Sequence, residues 1–133
     1  MAEPSPAGGP QLAPDERALL EQGVAEFNAR LFYECHDTLE ELWSGLRGPA
    51  RELVQGLIQV AVGFYHLGNG NRAGAVRLFE RGLQRLAGQP ARWAGLDLAG
   101  LRAAVAAWRD AAVSDGALPA EPPTIARAPR ETP

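Results

Sequence analysis

The stretch LVQGLIQVAVGFYHL, residues 53–67, is apolar on nearly every side when wound as a helix. Leu53, Val54, Leu57, Ile58, Val60, Ala61, Val62, Phe64 and Leu67 point in almost all directions, as expected of a helix at the centre of a bundle rather than on its surface. The stretch is interrupted by Gln59 and His66 and is too short to span a bilayer. Its polar residues are ordered: Gln55, Gln59, Val62 and His66 recur at i, i+4, i+7 and i+11 and form one narrow stripe. Gly56 and Gly63 run beside that stripe and would let a neighbouring helix approach closely.

Working outward, helical periodicity continues in both directions. Pro14 followed by Asp15 and Glu16 marks the start of a first helix, carried by Leu19, Leu20, Val24 and Phe27 and ending near Asn28. A second takes up 32–46, and Pro49 begins the apolar third, which runs to Leu67. The GNGN turn at 68–71 separates it from a fourth helix ending near Ala87, and a fifth covers Leu98 to Val113. No segment sustains the two-residue alternation of a strand, so the sequence predicts an all-α fold: a single compact bundle of about five antiparallel helices over 14–113. Residues 1–13 form a tail expected to be disordered. Residues 114–133, which include LPAEPPTIARAPRETP with its five prolines, form a C-terminal tail expected to be extended or disordered. An echo at an offset of 40 places Cys35, Leu39, Glu40 and Trp43 over Ala75, Phe79, Glu80 and Leu83. Two stacked helical hairpins would produce it, and two amphipathic helices sharing a period explain it more simply.

The second helix carries the densest chemistry, ECHDTLEELW at 34–43. At about 100° per residue, Phe32, Cys35, Leu39, Leu42, Trp43 and Leu46 fill one apolar arc. His36, Glu40 and Tyr33 follow at its edge, and Glu34, Asp37 and Glu41 point toward solvent. His36 and Glu40, four residues apart, are within mutual reach. If the glutamine stripe of the third helix is buried, its amides need partners, and the His36–Glu40 edge is the natural one. The expected ligand site is therefore Tyr33, His36, Glu40 and Trp43 on one helix facing Gln55, Gln59 and His66 on the other. Read blandly, the stripe is the solvent edge of the third helix and the acids are a solvated face.

The pattern E-x-H-[DE]-x-x-E-x-x-W (Glu34, His36, Asp37, Glu40, Trp43), then QGLIQ at 55–59, then His66 and Gly68-Asn69, resembles the small helical proteins grouped as domain of unknown function family 309. The resemblance covers roughly residues 15–112 and implies an all-helical fold; the family's function is not established. Cys35 stands where the family pattern has a small residue, which implies packing rather than reactivity.

Three functional readings follow. The first is a binding module whose polar pocket holds a small ligand or a divalent metal, with His36, Glu40 and His66 as metal ligands of the types used by zinc and iron. The second is an interaction scaffold, with Arg77, Arg81 and Arg85 as a basic row for an acidic protein partner. The third is a hydrolase in which Glu40 orients His36 as general base, although no nucleophile motif accompanies it. A net charge of −3 argues against nucleic acid as a partner, and the fact that all 13 basic residues are arginine carries no functional weight. The single cysteine and the missing apolar leader indicate a cytoplasmic protein with no membrane association. Whether it is a monomer or a homo-oligomer is not decidable from these residues.

Overall fold

The computed structural model describes residues 12–129. Its helices are α1 (Pro14–Asn28), α2 (Phe32–Gly45), α3 (Gly48–Gly68), α4 (Arg72–Ala87) and α5 (Leu98–Val113), so the all-α bundle expected from periodicity is what forms. A small hairpin, β1 (Arg92–Trp93) and β2 (Leu96–Asp97), lies between α4 and α5. Its turn residues Ala94 and Gly95 both have positive φ, as a two-residue type I′ turn requires. Strands of two residues are too short for alternation to register in the sequence. Among the described residues no helix is long and apolar enough to cross a membrane.

The apolar girth of α3 determines the packing. Leu53, Val54, Leu57, Ile58, Val60, Ala61 and Phe64 are all buried, because α2 covers one side of the helix and α4 the other. α1 then lies on α2, and α5 on α4. The close approach expected between α2 and α3 is made instead between α3 and α4: a Cβ at Gly63 would stand 2.6 Å from the ring of Phe79, and one at Gly82 would stand 3.0 Å from the carbonyl oxygen of Gly56. The glycines lie beside Gln59, and Gln59 turns with them toward α4.

The offset of 40 is structural. A Cβ at Gly23 would meet Leu39 at 2.5 Å, as one at Gly63 would meet Phe79. The turn after α1 places Arg30 at φ 67, with the Leu31 N–H donating to Glu26 O (2.9 Å) and the Arg30 N–H to Phe27 O (3.0 Å). The turn after α3 repeats both bonds forty residues on, Asn71 N–H to His66 O (2.8 Å) and Gly70 N–H to Leu67 O (3.0 Å), with Gly70 at φ 77. Both are Schellman closures of a helix end. α1–α2 and α3–α4 are thus two copies of one helical hairpin, which corrects the simpler reading of two helices sharing a period.

Side chains close the exposed helix ends. Asn71 Oδ1 accepts from Gly74 N–H and Asp97 Oδ1 from Gly100 N–H, both at 2.9 Å, each cap contributing about 1 kcal/mol. At the opposite ends, arginines from neighbouring elements donate to otherwise open carbonyls. Arg51 reaches Trp43 O and Leu46 O after α2, Arg102 reaches Leu86 O after α4, and Arg72 reaches Ala111 O and Ala112 O at the end of α5.

The C-terminal segment is extended, as its prolines imply, but through residue 129 it is not disordered: it is docked on the bundle. Asn28 pairs with the backbone of Ile125 in both directions, Nδ2–H to the carbonyl at 3.1 Å and Oδ1 from the N–H at 2.7 Å. Ile125 is 3% exposed. Beyond it the chain runs antiparallel to the hairpin, with bonds from Asp97 N–H to Ala126 O and from Ala128 N–H to Gly95 O, both 2.8 Å, and Arg127 pairs with Glu21. A buried isoleucine and an amide that mimics a strand edge supply what proline-rich composition does not reveal. The expected N-terminal tail falls, but for residues 12 and 13, outside the described residues, as do residues 130–133.

Cys35 is fully buried, and burial, reinforced by the charge of Glu26, pushes its thiol up from 9.0 to about 12. Ile125→Ala should lower the unfolding free energy by about 2 kcal/mol or more in denaturant titrations, whereas a free tail would show no change. The Arg127 guanidinium holds the Glu21 carboxyl below its ordinary 4.5, so that contribution to docking is present above pH 4.5 and is lost as the pH falls through the lowered value. For the thiol, Ellman's reagent at pH 8 should find no reactive group in the folded protein and one after denaturation. Stability should decline as the pH rises from about 9 toward 12, because the unfolded thiol ionises first.

Candidate functional site

The polar edge of α2 is assembled as its helical spacing implies. His36 Nε2 lies 3.4 Å from a Glu40 oxygen and Nδ1 lies 3.3 Å from an Asp37 oxygen. The second contact lacks hydrogen-bond geometry, so Nδ1 is buried without a bonded partner. The Tyr33 ring is 5.7 Å from the His36 ring and 5.4 Å from Tyr65 on α3, and Tyr65 is 6.4 Å from His66. The two histidines thus lie along a row of rings with both tyrosines between them, instead of facing one another as expected.

The glutamines do not join this row. Gln59 is buried, and its Oε1 accepts from Arg85 Nε–H at 3.1 Å across the α3–α4 interface. The Gln55 side chain, half-buried, makes no hydrogen bond among the described residues. Trp43 serves the end of α2: the Arg51 guanidinium stacks 3.7 Å above its ring while capping the helix. The single polar cluster expected from His36, Glu40, Gln59 and His66 is therefore divided between two faces of α3. The close α3–α4 contact turned the glutamine stripe away from α2.

Ligand atoms of His36, Asp37 and Glu40 lie within 4.8 Å of one another, and His66 is not among them. Asp37 takes the place expected for His66 because it shares a helical turn with the other two. The shortest contacts of the two carboxylates are to different nitrogens of the one imidazole.

A groove of about 510 Å³ opens beside the tyrosines, where the α1–α2 turn meets the end of α3. Its floor is aromatic: Phe32 stacks on Phe64 at 5.3 Å, and Trp108 meets Phe64 edge-on at 5.2 Å. Leu118 and Pro122 of the docked C-terminal segment form one wall, and Leu31, Tyr33 and Tyr65 stand at the rim. Of these residues the sequence reading singled out only Tyr33 for the site. Leu31 carried a signal, a large apolar side chain in a turn otherwise made of polar and small residues. Phe64 and Trp108 are also buried members of the core.

A second cavity, about 390 Å³, lies between α3 and α4 and is lined by Glu52, Gln59, Arg81, Gln84 and Arg85. Arg85 donates through Nη1 to both oxygens of Glu52, at 2.8 and 2.6 Å. The expected row of three free arginines is reduced to Arg77 and Arg81.

Comparison with known proteins gives relatives without an assigned activity. Over 89 residues the chain is 27% identical to an uncharacterised protein of Aquifex aeolicus (strain VF5), covering 66% of this chain and 27% of that one. Over 67 residues it is 39% identical to the uncharacterised protein YpuF of Bacillus subtilis (strain 168), covering 47% of this chain and 37% of that one. The matched regions thus span well under half the length of either relative. Residues 20–78, from α1 into α4, match the model of the family described as Domain of unknown function (DUF309), and the Glu34–Trp43 and Gln55–Gln59 motifs that carry the resemblance to that family lie inside the match.

Proposed function

We propose that the protein is a recognition module that receives an apolar side chain of a protein partner in the groove beside the α1–α2 turn. One observation carries this reading. Leu31, Tyr33 and Tyr65 are 45%, 52% and 39% exposed, and they are three of the four large hydrophobic side chains exposed among the described residues. All three rim the same groove. Singly scattered apolar side chains are ordinary on a protein surface, whereas clustering around a concave aromatic floor is a feature of binding surfaces. Tyrosine suits such a rim, since the ring gives apolar contact and the hydroxyl stays in water. The floor is held by ring contacts of the core, so an incoming side chain meets a preformed surface and little ordering opposes binding.

The polar-pocket reading keeps Tyr33, with His36 packed behind it. A divalent metal at His36, Asp37 and Glu40 has weaker support, because the carboxylates are exposed and oppose different ring nitrogens. The neighbouring Cys35 thiol, buried and with its pKa pushed up to about 12, offers the hydrolase reading no nucleophile.

The test is selection of peptides from a random displayed library on the immobilised full chain. Enriched peptides should share aromatic or large aliphatic residues. They should bind a Leu31→Ser/Tyr65→Ser variant at least about tenfold more weakly, while thermal melting stays nearly unchanged because both positions are exposed. Peptides that bind the variant equally well, or the absence of any enrichment, would overturn the proposal.

A further inference from the structure

The α3–α4 cavity contains a hydrogen-bond donor that the fold leaves unused. Arg85 Nε can only donate, so the Gln59 atom facing it at 3.1 Å must be the oxygen, and the orientation of this amide is decided by chemistry. Gln59 is 9% exposed and lines the cavity. Its Nε2 has no acceptor among the described residues. The amide N–H is open to the cavity and is available to an acceptor that enters it. Arg85 is not a free cation, because both oxygens of Glu52 engage it. Arg81, one turn earlier on α4, lines the same cavity and makes no ion pair among the described residues. The cavity thus presents one amide donor and one available guanidinium, while the Arg85 and Glu52 charges cancel.

We infer that this cavity binds a carboxylate from an acidic side chain of a peptide partner. Gln59 Nε2 donates to one oxygen and the Arg81 guanidinium to the other, which is a charge-assisted pairing. A peptide fits better than a free small acid because Arg77 is exposed one turn further along α4, about 6 Å away, and also makes no ion pair among the described residues. A second acid on the same peptide meets it there. Glu80, exposed on the same helix, pairs with neither arginine. The net charge of −3 provides no general attraction for an acidic peptide, so binding reports the local site. None of these residues lines the apolar groove, and the inference stands independently of it.

The experiment is fluorescence anisotropy of the full chain with a labelled peptide carrying two glutamates one helical turn apart, beside its glutamine counterpart. The acidic peptide should bind, more weakly as salt rises, and the glutamine peptide should not. Arg81→Gln should weaken binding by about tenfold. Gln59→Glu keeps the acceptor for Arg85 and replaces the donor with a charge that repels the ligand, so it should weaken binding at least as much; circular dichroism checks that it folds. If Gln59→Glu does not fold, Arg81→Gln decides alone. Arg47→Gln, at an exposed arginine between α2 and α3, should change nothing. Equal binding of both peptides, no loss in Arg81→Gln, equal loss in Arg47→Gln, or glutarate binding as tightly as the peptide would each overturn the inference.

Discussion

Gly63 lies against the ring of Phe79 so closely that no larger side chain fits between them, and the rest of the molecule is arranged around that contact. It brings α4 onto α3, and Gly82 against the Gly56 carbonyl and Val60 extends the approach along both helices. Once one side of the apolar α3 is covered this tightly, α2 must take the other, since exposed leucine and valine on α3 would forfeit burial worth roughly 1.5–3 kcal/mol each. α1 and α5 then cover what α2 and α4 leave open. The same device recurs at Gly23 against Leu39, so each helical hairpin is closed by a glycine facing a large side chain.

This arrangement also distributes the chemistry. Because the glycines of α3 turn toward α4, Gln59 goes with them and meets Arg85, leaving His36 and Glu40 on α2 without the partner that their spacing invited. The aromatic side chains near the C-terminal end of α3 close the gap at the α1–α2 turn, and there the docked C-terminal segment adds Leu118 and Pro122 as a wall. Polar and apolar recognition surfaces consequently lie at different positions along one helix: the cavity beside Glu52 and Gln59, the groove beside Phe64 and Tyr65.

Arginine has a structural use that composition alone does not show. Arg51, Arg72 and Arg102 each donate to carbonyls at the C-terminus of a helix other than their own. Their planar, multi-donor heads satisfy groups that have no partner within the helix and carry the negative end of its dipole. At the end of α1 the left-handed position is held by Arg30, where the equivalent turn after α3 uses Gly70. A side chain there is less favourable than glycine, and Arg30 lies on the lining of the groove.

What the sequence by itself determined was everything carried by local periodicity and turn chemistry. The helices, the central place of residues 53–67, the His36–Glu40 adjacency and the inert packing of Cys35 all depend on spacing within one helix or on a composition that only one environment suits. The offset-of-40 echo was visible too, although its meaning depended on Gly23 and Gly63 meeting side chains from the following helix. Only the tertiary structure decided which neighbour each face of α3 met. A stripe such as Gln55, Gln59 and His66 states that a helix has a polar line, and says nothing about rotation of that helix against two competing partners. That rotation is set by the summed packing of many apolar side chains. It separated Gln59 from His36, placed Tyr33 beside Tyr65, and drew Ile125 from a proline-rich tail into the core, because burial and backbone pairing with Asn28 are contacts made across 97 residues of chain.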